Sequence, residues 1–161
     1  MDSTIFAYIA GFLDGDGSIF FQLVKRKDYI YGYQIRCSIA FYQKTENRKI
    51  LKWLKSKFGC GYIRHRKTGI SDYTIVEPKE VLKILRIFKP YVILKKKHVD
   101  IGIRILEKLP FADNPGRFIK LCRLVDTYKN INYSKKRTNT SEIVRNYLSA
   151  RNFNVPVETS S

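Results

Sequence analysis

A chain of 161 residues in which 44% of the side chains are hydrophobic and 14% aromatic holds enough apolar material for one substantial core, which excludes a disordered chain. Lys and Arg number 31 against 14 Asp and Glu, a formal charge of +17, so the expected partner is a polyanion: nucleic acid, an anionic membrane or a ribosomal surface. Three cysteines, Cys37, Cys60 and Cys122, follow no zinc or redox spacing and read as reduced packing residues.

Ser3 or Thr4 caps a first predicted helix, in which Ile5, Phe6, Ile9, Phe12 and Leu13 recur at helical spacing. Ala7, Gly11 and Gly15, four residues apart, give it a stripe of small residues along which a second backbone can approach. The helix then runs into Asp14-Gly15-Asp16-Gly17. Carboxylates beside the last turn face the negative end of the helix dipole, where cations are favoured. This helix end therefore calls for a positive partner such as a hard metal ion. An Asp-Gly pair is also a common turn signal, and that plainer reading stands beside the metal one. Asp14 lies two positions from Asp16, cannot share its helix face, and reads as a capping or structural acid.

After Gly17 the period becomes two. Ile19, Phe21 and Leu23 point one way while Ser18, Phe20, Gln22, Val24 and Arg26 point the other. A second strand repeats the pattern, with Ile35, Cys37, Ile39 and Phe41 inward and Gln34, Arg36, Ser38, Ala40 and Tyr42 outward. Ile50, Trp53, Leu54 and Phe58 form a helix face closed by Gly59. Strands over 62–66 and 72–76 pair around Thr68-Gly69, and another helix starts near Pro78 and stops at Pro90. Helical patterns follow at about 97–109 and 116–130. Asn139 with Glu142 reads as a capping pair for a final short helix. Residues 1–153 form one expected domain, with 154–161 a flexible tail.

The cations lie in separate clusters, Lys25-Arg26-Lys27, Arg64-His65-Arg66-Lys67, Lys95-Lys96-Lys97 and Lys135-Lys136-Arg137. That is unlike a single membrane-surface helix and favours nucleic acid. No basic and apolar leader opens the chain and no apolar run reaches membrane-spanning length, so an intracellular, soluble protein is expected.

The stretch Ile9-Ala10-Gly11-Phe12-Leu13-Asp14-Gly15-Asp16-Gly17 resembles the signature of the LAGLIDADG homing endonucleases. The resemblance continues through Gln43-Lys44-Thr45, Gly61-Tyr62, Ser71-Asp72-Tyr73, Pro90 to Lys97 and Ser134 to Ser141. With a single signature, the chain is similar to the single-motif, homodimeric branch found in organellar and archaeal introns. The resemblance implies an α+β fold: a curved, antiparallel four-stranded sheet packed against helices in the order α-β-β-α-β-β-α, plus C-terminal helices.

By the same resemblance, Asp16 and the Gly15 carbonyl bind the catalytic metal, Mg²⁺, with Mn²⁺ or Ca²⁺ able to substitute for binding. Mg²⁺ takes one or two carboxylates beside waters and phosphates, so one Asp per chain is too few and a second subunit is expected to supply its copy. Lys95 corresponds to the family's basic residue near the scissile phosphate, and Gln43 to the polar residue that positions water. Each also has a plainer reading, as a solvated lysine in a lysine run and as a strand-end amide. The chain departs from its relatives at Asn47, where they carry Arg, with Arg48 directly after it.

An outward polar sheet face can enter the major groove, which nominates Gln22, Val24, Arg26, Gln34, Arg36, Ser38, Ala40, Arg64, Arg66, Asp72 and Thr74 as DNA contacts. Arg and Gln suit guanine and adenine, Asp can accept from cytosine, and Val24 or Ala40 can meet a thymine methyl. An ordinary solvated sheet face would alternate in the same way. Tyr29 at the hairpin tip, and Lys135, Lys136 and Arg137 as phosphate anchors, complete the set.

The expected protein is a homodimer joined through Ala7, Gly11 and Gly15. It would cut both strands of a pseudo-palindromic double-stranded DNA, leave 3′ overhangs and initiate intron transfer. Its rivals are a maturase that binds intron RNA and a DNA-binding regulator that has lost cleavage. The expected compartment is an organelle (chloroplast or mitochondrion) or an archaeal or bacterial cytoplasm.

Overall fold

The computed structural model describes residues 2–131 and 138–155. In chain order its elements are α1 (Ser3–Asp16), β1 (Gly17–Lys25), β2 (Tyr33–Lys44), α2 (Lys49–Phe58), β3 (Tyr62–His65), β4 (Ile70–Ile75), α3 (Pro78–Phe88), α4 (Lys96–Lys108), α5 (Pro115–Asp126), α6 (Tyr128–Ile131) and α7 (Ser141–Ala150). The strands form one sheet in the order β1-β2-β4-β3, with β4 antiparallel to both β2 and β3. This is the expected α+β arrangement. Among the described residues, no helix is long and apolar enough to cross a membrane.

The backbone divides into two compact units, Met1–Phe20 with Cys37–Ile103, and Phe21–Arg36 with Arg104–Ser161. In the first, Ile9 and Leu13 of α1, Ile19, Ile39, Phe41, Tyr73 and Ile75 of the strands, and Leu51, Leu54, Val81, Leu85 and Phe88 of the helices are buried. Burial of each such side chain contributes about 1.5–3 kcal/mol. Phe41 stacks on Tyr73 at 6.1 Å, and Phe58 joins Tyr73 at 6.5 Å and Phe88 at 6.0 Å, so aromatic rings tie β2, β4, α2 and α3 together. Gly59 ends α2 with φ of 69°, the left-handed conformation that favours glycine.

The second unit is also joined by rings: Phe21 on Tyr128 at 5.0 Å, Tyr31 on Phe118 at 4.9 Å, and Tyr33 edge-on to Tyr147 at 5.3 Å. Cys37, in the first unit, and Cys122, in the second, are buried, and burial pushes both thiols up to about 12. Such thiols stay protonated and pack as small apolar groups. Cys60 is the third free cysteine.

Three local expectations need correction. Helix α1 begins at Ser3 with Asp2 in the cap position, and the Ser3 hydroxyl donates to the Asp2 carboxylate at 3.2 Å instead of accepting from a helix N–H. The helix predicted over 116–130 divides at Thr127, whose hydroxyl donates to the Leu124 carbonyl at 2.7 Å, a back-bond that bends helices. Thr140, not Asn139, caps α7: its hydroxyl accepts from Ile143 N at 3.4 Å, while the Asn139 amide donates to the Leu23 carbonyl at 2.9 Å.

Candidate active site and nucleic-acid face

The acid-and-glycine segment closes α1, with Asp16 the last helical residue and Gly17 the first of β1. Asp14 and Asp16 have different environments. The Asp14 carboxylate accepts from three consecutive backbone N–H groups, those of Ile93 at 2.6 Å, Leu94 at 3.1 Å and Lys95 at 3.0 Å. These donors offset the unfavourable placing of an acid at a helix C-terminus. The Asp16 carboxylate is exposed and makes no hydrogen bond to another described residue. Asp14 is therefore structural, as expected, and Asp16 is the carboxylate available to a ligand.

Lys95 is brought to this helix end from the segment before α4. Its Nζ donates to the Asp14 carbonyl at 2.5 Å. Burial pushes the Lys95 ammonium below the usual lysine value, an effect opposed by the nearby charges of Asp14 and Asp16. The lysine is thus half-buried and held at the same helix end as Asp16, unlike a solvated member of a lysine run.

The Gln43 side-chain oxygen Oε1 accepts from Lys44 N at 2.9 Å, which turns the amide back along its own strand. Asn47 and Arg48 are exposed, and Arg48 Nη1 donates to the Thr45 carbonyl at 3.3 Å. Sequence reasoning missed a hydroxyl chain here: His65 Nδ1 meets Ser71 Oγ at 2.7 Å, and Ser71 Oγ meets Thr45 Oγ1 at 2.9 Å. No local pattern in the sequence signals it; the register places Gln43 and His65 on either side of Ser71.

On the outward sheet face of the first unit, Arg64 and Arg66 are exposed and Ser38 is half-buried. Asp72, expected to face outward as an acceptor, is instead fully buried, and Thr74 and Ala40 are nearly so, at 7% and 3% exposure. The register explains this: Asp72 lies between Tyr42 and Arg64, and Thr74 between Ala40 and Tyr62. Short side chains on an inner strand are covered by longer neighbours. Arg64 gives Asp72 its Nε and Nη2 at 3.2 and 3.3 Å, Arg66 gives Nε at 2.8 Å, and Thr74 Oγ1 donates at 2.9 Å. Burial alone would raise the Asp72 carboxyl, but the hydrogen bonds from Arg66, Thr74 and Arg64 outweigh it and hold it below the usual carboxylate range.

Tyr42 was also missed as a site residue. Its ring lies 5.6 Å from the Arg66 guanidinium and its hydroxyl accepts from Ser18 Oγ at 3.1 Å. In the second unit Gln22 and Arg36 are exposed, and Val24 and Gln34 half-buried. Arg26 forms a bidentate pair with Asp28 at 2.9 and 2.7 Å and lies over the Tyr29 ring. Lys135, Lys136 and Arg137 lie outside the described residues.

Ala7, Gly11 and Gly15 are all exposed on α1. A Cβ added to Gly11 or Gly15 would meet nothing within 4 Å, so the fold of this chain does not require either glycine. Glycine in a helix interior costs about 0.5–1 kcal/mol relative to alanine. With nothing beside them in this chain, the two glycines leave a low, open stripe on α1.

The donor set suits a hard divalent ion. It consists of the exposed Asp16 carboxylate and the Gly15 carbonyl, one of the last-turn carbonyls that lack an intrahelical partner. Among the described residues, no group of three or more His, Cys, Asp or Glu could hold a metal within one chain. The set therefore fits an ion that draws its remaining ligands from water, phosphate or a second chain.

The profile of the LAGLIDADG endonuclease family matches residues 9–104. The chain is 38% identical over 142 residues to DNA endonuclease I-CreI of Chlamydomonas reinhardtii, covering 88% of this chain and 86% of that protein. It is 35% identical over 147 residues to DNA endonuclease I-CvuI of Chlorella vulgaris, covering 91% of each. The structure of I-CvuI in complex with its target in the presence of calcium matches with a TM-score of 0.90 at 33% identity, over 95% of this chain and 98% of that one. Family match, curated relatives and fold agree with the helix end from which the site was built: the chain belongs to the LAGLIDADG endonuclease family.

Proposed function

We propose that the chain is one subunit of a homodimeric homing endonuclease. It makes double-strand breaks in a long pseudo-palindromic DNA by Mg²⁺-dependent phosphodiester hydrolysis, leaves 3′ overhangs, and so supports intron mobility. The observation that carries this reading is the exposed Asp16 carboxylate at the end of α1, with the half-buried Lys95 ammonium held beside it. The solved relatives support its DNA-binding part, since I-CvuI was captured on DNA targets in the presence of calcium and of magnesium, the DNA uncleaved in the magnesium complex.

Asp16 and the Gly15 carbonyl would hold the ion. When bound, it supplies Lewis acidity toward a phosphoryl oxygen and lowers the pKa of a bound water. The chain's own residues do the rest. Lys95 directs a fixed positive charge at the phosphate, where negative charge grows during hydrolysis. Gln43 keeps its amide N–H₂ to orient a water after its oxygen is used by Lys44 N. Arg64 and Arg66 read base edges, with Asp72 and Tyr42 fixing their directions. Close approach of two α1 helices along Ala7, Gly11 and Gly15 brings two copies of Asp16 together. The resulting two-fold axis matches a pseudo-palindromic site.

The test is to incubate the protein with Mg²⁺ and a pool of intron-insertion sequences, then sequence the cut ends. Cleavage of both strands at one site with 3′ overhangs is the expected result. No cleavage, together with tight binding of intron RNA, would overturn the reading in favour of a maturase.

A further inference from the structure

We propose that Asp14 is a positioning residue for the reaction: its carboxylate grips the backbone of residues 93–95 and its carbonyl grips the Lys95 ammonium, which together hold that ammonium at the Asp16 end of α1. The inference rests on the nuclease reading above and adds a residue that makes no contact with metal or DNA in that reading.

Two observations carry it. The first is the double grip, in which one residue fixes both the backbone and the side-chain tip of Lys95, through Lys95 N at 3.0 Å and Lys95 Nζ at 2.5 Å. A lysine side chain is long and flexible, so a contact at each end is what turns a general cation into an aimed one. The second is that Ile93 and Leu94 have little side-chain packing of their own, while Lys95 is tied onward only through its carbonyl, which accepts from Val99 N at 2.9 Å. Ile93 and Leu94 are 82% and 76% exposed, so their side chains bury little against the rest of this chain. Their N–H groups, at 2.6 and 3.1 Å from the Asp14 carboxylate, are what fasten them. Packing resumes only at Val92 and Val99, on either side.

Substitution by Asn discriminates among these contacts. One carboxylate oxygen serves Ile93 and Leu94 and the other serves Lys95, whereas an amide has one acceptor and one donor. In Asp14→Asn an N–H₂ must face backbone donors, and part of the segment lets go. Misplacement of a reacting group by about 1 Å can cost roughly a hundredfold in rate.

The experiment is a double-mutant cycle on the Mg²⁺-loaded dimer with its cleavable DNA: wild type, Asp14→Asn, Lys95→Gln and the double variant. Single-turnover cleavage is read beside DNA affinity in metal-free buffer and beside thermal melting. The expected result is a cleavage loss of about ten- to a hundredfold for Asp14→Asn, with DNA affinity within about twofold, and no further loss when Asp14→Asn is added to Lys95→Gln. Additive losses would make Asp14 a purely structural residue and overturn the proposal. Full activity of Asp14→Asn beside an inactive Lys95→Gln would overturn it while leaving the nuclease reading intact. Full activity of Lys95→Gln would overturn the role given to Lys95, and the proposal with it. Should Asp14→Asn fail to fold, Asp14→Glu, which keeps the carboxylate but moves it by one methylene, carries the same cycle.

Discussion

Asp72 holds Arg66 through Nε at 2.8 Å, whereas it takes both Nε and Nη2 of Arg64. One fully buried carboxylate thereby orients two exposed guanidinium groups on β3 and its following turn. Both arginines engage Asp72 through Nε, which leaves the Nη1/Nη2 edge of each facing away from the carboxylate. Guanine is read by such an edge, through O6 and N7, so each arginine keeps a bidentate edge for a base.

Asp72→Asn should therefore cost stability as well as recognition. Loss of the buried charge leaves hydrogen bonds from Arg66 and Arg64 incompletely answered, a cost of about 1–3 kcal/mol. The sign of the pH dependence follows from the depressed carboxyl of Asp72. A group whose folded value lies below its unfolded one, about 3.9 for Asp, contributes fully above the unfolded value and loses that contribution as pH falls through the folded one. Urea unfolding of wild type and variant should show the full gap at pH 7 and a shrinking gap below about pH 4. A gap that stays constant into acid would refute the linkage.

Asp16→Asn should abolish cutting without abolishing binding. The carboxylate is exposed and makes no hydrogen bond to another described residue, so its replacement leaves the fold unchanged. Cleavage should fall by at least about 10²–10³-fold, the scale on which loss of one charge-stabilising group acts. Fluorescence anisotropy in metal-free buffer should give the same or slightly tighter DNA affinity, since one negative charge near phosphate is removed. Equal cutting by wild type and variant would remove Asp16 from the site.

The legibility of these features in the sequence depends on how local their causes are. The Gly59 helix stop, the Gly69 turn between β3 and β4, and the inward rows Ile19-Phe21-Leu23 and Ile35-Cys37-Ile39-Phe41 all follow from residues a few positions apart. The grip of Asp14 on Lys95 crosses a separation of 81 residues and has no local pattern. Alternation assigned Asp72 to the outward face but could not say that Tyr42 and Arg64, paired on either side, would cover it. Asn139 reads as the α7 cap because nothing nearby reveals its partner, the Leu23 carbonyl, 116 positions away.

Gly32→Ala and Gly69→Ala should separate two costs that both glycines share in name. Gly32 and Gly69 adopt φ of 68° and 77°, where an L-residue loses roughly 1–2 kcal/mol. At Gly69 nothing lies within 4 Å of an added Cβ, so that cost stands alone. At Gly32 the Cβ would lie 2.5 Å from the Tyr147 hydroxyl and 2.6 Å from Tyr147 Cζ, so the ring must move or the hairpin must open. Thermal melts should place Gly32→Ala well below Gly69→Ala. Adding Tyr147→Ala should recover part of the Gly32→Ala deficit and none of the Gly69→Ala one.

Gly11 tests the proposed assembly, because the fold and the proposed dimer make opposite demands on it. Within one chain the position is exposed, α-helical and open, so alanine should raise helix stability by about 0.5–1 kcal/mol. Across two closely approaching helices the same methyl would press against a backbone. If the subunits meet along Ala7, Gly11 and Gly15, Gly11→Ala should raise the concentration needed for dimerisation, and Gly11→Leu should give monomers by light scattering. Each monomer would remain folded by circular dichroism, because a Cβ at Gly11 meets nothing in its own chain. Monomers of Gly11→Leu should fail to cut, since one Asp16 per particle leaves the metal set incomplete. A wild-type protein that is already monomeric, or a dimer indifferent to Gly11→Leu, would move the interface elsewhere. A Gly11→Leu monomer that still cut both strands would show that one Asp16 per particle is sufficient.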